Sequence, residues 1–312
     1  MRKTLISVVV TCYNESGNIR EMYTRVKSVI ATLPGYEFEL IFVDNASTDG
    51  SESIFSSLGQ RDRRVKVIVM SRNFGSPQPS FLAGLQYAKG KAVVLLHGDI
   101  QDPPELIREF ILHWRKGYDI VYGVRKKRRG ATALMNVLYR GFYFFLQKLA
   151  YFPIPPDAGE FSLIGRKPME ALLAMDEYDY YLRCLRAYVG FRQIGVSYVR
   201  DARHAGRSNE SLMSGFWWAK TLIINFSFKP LEWISLTAFF VMLMTLVLII
   251  INISMIIVYR DAPRGIPTIV ILILFLGGVQ LLSLSVIAEY LAKIFLEVKR
   301  RPRYIIRNTI NL

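Results

Sequence analysis

Cysteine is nearly absent: the 312 residues hold only Cys12 and Cys184, in no metal-type spacing. That excludes a disulfide framework and a cysteine-based zinc site, and leaves Cys12, at a strand end, as a small buried side chain. Acidic residues are also short, 25 Asp and Glu against 40 Lys and Arg, for a net charge of +15. Such a balance raises nucleic acid as a ligand. The positive residues, however, gather beside two apolar runs and over Arg125 to Arg129, which suits lipid headgroups and phosphorylated ligands better. After Met1-Arg2-Lys3-Thr4-Leu5 the apolar stretch is too short for a secretory signal, so the first part is expected to stay in the cytosol. Finally, the two apolar runs lack Lys, Arg and Asp, which argues against a channel or transporter.

Those runs, Leu231 to Val258 and Ile266 to Ile287, are each longer than the ~20 residues that cross a bilayer as a helix. The linker Tyr259 to Gly265 is short, so a helical hairpin is expected. Arg200, Arg203, Arg207, Lys220 and Lys229 precede it, and Lys299, Arg300, Arg301, Arg303 and Arg307 follow. Both flanks outweigh the linker in positive charge, which predicts an inner-membrane protein with both termini cytoplasmic. The expected division is a cytosolic domain over 1–212, an interfacial segment over 213–230, spans at about 231–258 and 266–290, and a basic tail over 291–312. Ala133 to Tyr151 reads as a helix, either of the core or lying in the membrane interface, and the Trp217-Trp218-Ala219-Lys220 stretch reads as interfacial. Gly277, Gly278, Ser283 and Ser285 would allow close helix contact, and with it a homo-oligomer.

Before the spans, strand and helix signals alternate. Leu5 to Val10, Phe38 to Val43, Val65 to Met70 and Ala92 to Leu96 are continuous apolar runs separated by helical stretches. This pattern predicts a mainly parallel sheet with both faces covered, whose ligands bind at the strands' carboxyl ends. Glu15, Asp44, Arg72 and Asp99 each follow a strand. One such residue is an ordinary turn former; four on one edge make a site. In His97-Gly98-Asp99-Ile100-Gln101-Asp102-Pro103-Pro104-Glu105 a buried strand runs into two carboxylates, oxygen ligands suited to a hard divalent cation on a diphosphate.

Together these segments resemble the family 2 glycosyltransferases of GT-A fold, and among them the polyprenyl-phosphate glycosyltransferases. The residues that carry the likeness are Val9-Val10-Thr11-Cys12-Tyr13-Asn14-Glu15, Val43 to Gly50, Arg72-Asn73-Phe74-Gly75, Asp99 to Glu105, Pro156 to Phe161 and Val189 to Gln193. The resemblance implies an α/β, Rossmann-like nucleotide-sugar-binding domain followed by a two-helix transmembrane hairpin. It implies transfer of a sugar, from UDP-glucose or another UDP-hexose, to polyprenyl phosphate with inversion. Tyr13, Glu15, Asp44, Arg72, His97 and Arg125 would hold the nucleotide sugar. Asp99 would bind Mg²⁺ or Mn²⁺, and Asp102 would either assist it or cap the following helix. Asp157 would be the base or orienter, with Glu160 as its alternate, and Arg200, Arg203 and Arg207 would receive the lipid phosphate.

The chain departs from the family pattern at His97, where a carboxylate usually opens the motif, at Glu160, where many relatives have Asp, and at Ser162, where many have Arg. The imidazole adds no negative charge. A membrane-anchored sensor or scaffold with a degenerate site is therefore the competing reading. A processive polysaccharide synthase would need a Gln-any-any-Arg-Trp motif and more spans, and the chain has neither.

Overall fold

Ile6 to Cys12 are buried without a break, as a strand covered on both faces requires. This strand, β1 (Thr4–Cys12), lies between β2 (Tyr36–Asp44) and β4 (Ala92–His97), with β3 (Val65–Met70) beyond β2, all parallel. The register sets Cys12 beside Asp44 and Thr11 beside His97, so the polar strand ends emerge on one edge. The computed structural model describes residues 3–125, 148–150, 152–200, 220–259 and 265–312.

Helices α1 (Ile19–Ala31), α2 (Ser51–Arg61), α3 (Gln78–Tyr87) and α4 (Ile107–Arg115) make the crossovers. α1 buries Ile19, Met22, Val26 and Val29, one stripe at helical spacing, against the sheet. α3 lies so close on the other face that a Cβ at Gly84 would come within 2.2 Å of Val9 Cγ1. Only glycine allows that approach. These elements match the alternation read from the sequence.

The second half is less regular. β5 (Ile120–Arg125) is followed by β6 (Ala158–Gly165), α5 (Arg166–Leu173), α6 (Leu182–Tyr188) and β7 (Gln193–Tyr198). β6 enters antiparallel between β4 and β5, and β7 closes that side parallel to β5. The sheet is thus mixed, in the order β7-β5-β6-β4-β1-β2-β3-β8. Its last member, β8 (Ile306–Ile310), comes from the segment read as a basic tail and pairs antiparallel with β3. Asn311 Nδ2 donates to the carbonyls of Gly59 (2.8 Å) and Val65 (3.0 Å), pinning the strand's end. The paired β3 is not an open template for another chain.

The chain divides into two compact units, Met1–Gln147 with Phe152–Glu210 and Arg301–Leu312, and Lys148–Tyr151 with Ser211–Arg300. The second contains α7 (Lys229–Tyr259) and α8 (Ile266–Lys299). Lys229–Met255 and Ile271–Lys299 are long and apolar enough to cross a membrane, with mean hydropathies of 2.8 and 2.4. Their apolar side chains point outward, Phe240 and Leu281 among them, unlike those of a soluble core helix. Thr237, Thr245, Ser254 and Ser283 donate to the carbonyl four residues back, which satisfies each hydroxyl without water. Glu289 is met by Lys220 Nζ at 2.5 Å, so the acid carries its own counter-ion. Nearly all of Ala133 to Tyr151, together with Trp217, Trp218 and Ala219, lies outside the described residues.

Candidate active site

Four loops at the strands' carboxyl edge turn through left-handed backbone at non-glycine residues: Asn14 (φ 54°), Ala46 (φ 59°), Ile100 (φ 59°) and Asp157 (φ 53°). Such conformations cost energy and persist where surrounding bonds enforce them. Here those bonds run between loops. Asn14 N–H donates to Ser47 Oγ (2.9 Å), and Asn14 Oδ1 accepts from Thr48 N–H (2.8 Å). Ser16 N–H donates to Asp49 Oδ2 (2.8 Å), and Asn45 Nδ2 to Asn73 Oδ1 (3.0 Å). The loops after β1, β2 and β3 are therefore one lattice.

Within it Asp44 is fully buried and accepts from the Ser47 hydroxyl and N–H. Burial, helped by Glu52 and Asp49, pushes its carboxyl above the usual range against the pull of Ser47. Glu15 is buried with Asn18 Nδ2 on its carboxylate. Tyr13 and Arg72 stay exposed, Arg72 with its guanidinium 4.1 Å from the Phe74 ring centre. A buried acceptor flanked by an exposed ring and a guanidinium can take a base and ribose. Cys12, at the lattice floor, has its thiol pushed up by burial and by Asp44, Glu15 and Asp99, so it is inert packing.

The second cluster forms where β4, β5 and β7 end and β6 begins. His97 Nε2 lies 3.6 Å from Glu160 Oε2, and Gln78 Nε2 donates to Glu160 Oε1 at 3.2 Å. Burial opposes charge on both, yet the pairing wins. Glu160, with Asp99 and Asp102 behind it, raises the imidazole above its ordinary value, and His97, Arg183 and Arg125 hold the Glu160 carboxyl well below the carboxylate range.

Asp102 is wholly buried and accepts from the Tyr198 hydroxyl, while its Oδ2 has no partner. It does not cap the helical turn that follows. Arg200 reaches both acids, 3.6 Å from Asp99 Oδ2 and 3.6 Å from Asp102 Oδ1. Arg125 Nε donates to Tyr198 Oη at 3.4 Å, and its guanidinium lies over Gly159, where a Cβ would come within 2.9 Å. Burial works against that cation, but Asp102 and Tyr198 keep it firmly charged.

Thus Tyr13, Glu15, Asp44 and Arg72 border the first cluster, and His97, Asp99, Asp102, Arg125 and Glu160 form the second. Asp157 is exposed, its carbonyl accepting from Arg125 N–H (3.2 Å). Arg200 sits against the acids, whereas Arg203 and Arg207 lie outside the described residues. Sequence reasoning missed Gln78, Tyr198 and Arg186. Arg186 is fully buried, donates to Gly159 O (2.9 Å) and stacks on Tyr122. No sequence signal marked these residues; Gln78 and Arg186 meet the site through Glu160 and Gly159 on β6, and Tyr198 through β7.

Among the described residues no group of three or more His, Cys, Asp or Glu side chains converges as a metal cage. A magnesium-like ion on a diphosphate needs fewer: one or two carboxylates, with phosphate oxygens and water completing the shell. Asp99, partly exposed, and Asp102, with its unpartnered buried oxygen, fit that smaller set.

Residues 7–173 match the protein family described as Glycosyl transferase family 2. A Synechocystis protein named uncharacterized glycosyltransferase sll0501 is 35% identical over 302 residues, 96% of this chain and 94% of its own length. A Shigella flexneri protein named SfII prophage-derived bactoprenol glucosyl transferase is 34% identical over 304 residues, 97% and 98% of the two chains. Among solved structures, S. aureus TarS 1–349 in complex with UDP-GlcNAc aligns at a TM-score of 0.46 and 18% identity, covering 72% of this chain and 66% of that one.

Proposed function

The chain belongs to glycosyl transferase family 2, and on that premise we propose that it moves a hexose from UDP-glucose or another UDP-hexose to polyprenyl phosphate. The observation that carries this reading is the convergence of Asp99, Asp102, Arg125 and Glu160 at one sheet edge. Relatives of nearly the same length that bear the name bactoprenol glucosyl transferase support the acceptor. The two apolar helices support a membrane setting in which the isoprenoid tail stays in the bilayer and the basic flanks stay on the cytoplasmic side.

In this reading an oxygen of the lipid phosphate attacks the anomeric carbon as the bond to the diphosphate oxygen breaks on the opposite face, with inversion. The nucleophile is already anionic, so no strong base is required. Glu160, held ionised, is a poor base and acts as a fixed hydrogen-bond acceptor. Asp157 would orient the acceptor. Arg125 would meet phosphate oxygens where negative charge accumulates on the leaving group, and Arg200 would receive the lipid phosphate. Mg²⁺ or Mn²⁺ on Asp99, backed by Asp102, would supply further neutralisation of the diphosphate.

The test is transfer from radiolabelled UDP- and GDP-sugars to undecaprenyl phosphate in detergent, with Mg²⁺, Mn²⁺ or EDTA. One donor should yield a labelled lipid whose formation EDTA stops. Nucleotide binding without labelled lipid from any donor would overturn the transferase reading in favour of a sensor.

A further inference from the structure

Gln78 stands between Pro77 and Pro79 at the first position of α3, where the two rings restrict the backbone before any tertiary contact forms. Its amide works in opposite directions. Oε1 accepts from Leu182 N–H at 3.0 Å, at the start of α6, which assigns Nε2 to the other side. There Nε2 donates to Glu160 Oε1 at 3.2 Å. With His97 on Oε2, the carboxylate is held from both sides, and its side chain is still 15% exposed.

From this geometry we propose that Gln78 is a positioning residue: it locks Glu160 so that the carboxylate accepts hydrogen bonds from hydroxyls of the transferred hexose. The assignment rests on the donor reading above. The Arg125 guanidinium, the cation placed for the diphosphate, lies over Gly159, the residue before Glu160, so a sugar joined to that diphosphate comes within reach of the carboxylate. An ionised carboxylate has only acceptors, matching a ring of hydroxyl donors. Gln78 has no charge, and its amide is engaged by Glu160 and Leu182. Its effect should fall on the hexose alone.

The discriminating variant is Gln78→Glu. It keeps the acceptor for Leu182 N–H but sets a second carboxylate against Glu160. Calorimetric titration of the full-length protein with UDP and UDP-glucose, and in parallel with GDP and GDP-mannose, separates nucleotide from sugar. Gln78→Glu should weaken the sugar nucleotide about tenfold, the order of one lost hydrogen bond to a charged group, and leave the free nucleotide within about twofold. Adding Glu160→Gln restores the bond in reverse, so melting temperature should recover while sugar-nucleotide affinity should not. Gln78→Met, which removes both bonds, should also weaken the sugar nucleotide more than the free nucleotide.

Equal weakening of both ligands, or none, overturns the assignment and leaves Gln78 a structural tie to α6. A wild-type protein that binds neither pair overturns the donor reading itself, and this assignment with it.

Discussion

His97 and Glu160 face each other across the antiparallel β4–β6 pair, Nε2 to Oε2 at 3.6 Å. Extending the register by two residues from Leu95–Ser162 brings their positions opposite. Each favours the other's charged form. The residue that departs from the family's opening carboxylate thus has its partner on the neighbouring strand.

His97→Asp should therefore not act as a simple reversion. It would set an acid against Glu160 and remove the imidazole that keeps Glu160 ionised. Lipid-linked product should form more than about tenfold more slowly, with the circular dichroism spectrum unchanged. A rate equal to or above wild type would mean that the pair plays no part in transfer.

Asp99→Asn removes the charge best placed for a divalent cation and keeps the side chain's shape. Transfer should fall about a hundredfold. Mn²⁺ should no longer accelerate the variant, as initial rates across a metal titration will record. Retention of the wild-type metal dependence would move the cation elsewhere.

Glu39 tests the sheet rather than the site. Buried on β2, it accepts from Ser7 Oγ (2.5 Å) and Lys89 N–H (2.6 Å) and pairs with Lys66 (2.5 Å). Burial alone would raise its carboxyl, but Lys66 and these donors lower it. A folded value below the unfolded one stabilises at neutral pH, and that contribution is lost as pH falls through the folded value. Glu39→Gln should cost about 3 kcal/mol at pH 7 and much less near pH 3, read from melting curves at both.

Arg303 ties the last segment to the catalytic unit. It donates to the carbonyls of Met175 (3.2 Å) and Glu177 (3.0 Å), pairs with Asp176 (2.8 Å) and lies over Tyr180. Arg303→Ala should leave the 175–180 loop more open to protease and lower the melting temperature, at a cost of about 2 kcal/mol. An unchanged digestion pattern would show that β8 alone holds the tail.

The first four strands, their crossovers and the two long apolar helices were legible because each follows from local chemistry. Buried parallel strands are continuously apolar, and membrane-length helices are longer still. Glu15, Asp44, Arg72 and Asp99 were legible as edge residues for the same reason, since polar residues that follow parallel strands share one edge, whereas Tyr13 came only from the family resemblance. β6 and β8 were not read as strands. β6 reaches its neighbours by crossing from β5 to β4, and β8 pairs with a strand more than two hundred residues earlier. Two sequence readings fit Asp102, metal support or helix cap; its bond to Tyr198 is a third role that only the folded β7 delivers.

By itself, then, the amino-acid order determined the parallel half of the sheet, the edge where the polar loops gather and the apolar helices, since strand period, turn chemistry and run length are local properties. Tertiary structure alone decided that His97 has an acid partner, that Gln78 holds that acid, and that Arg200 stands over Asp99 and Asp102. Those relationships depend on strand order and register, and a one-residue shift of β6 would turn Glu160 to the sheet's opposite face.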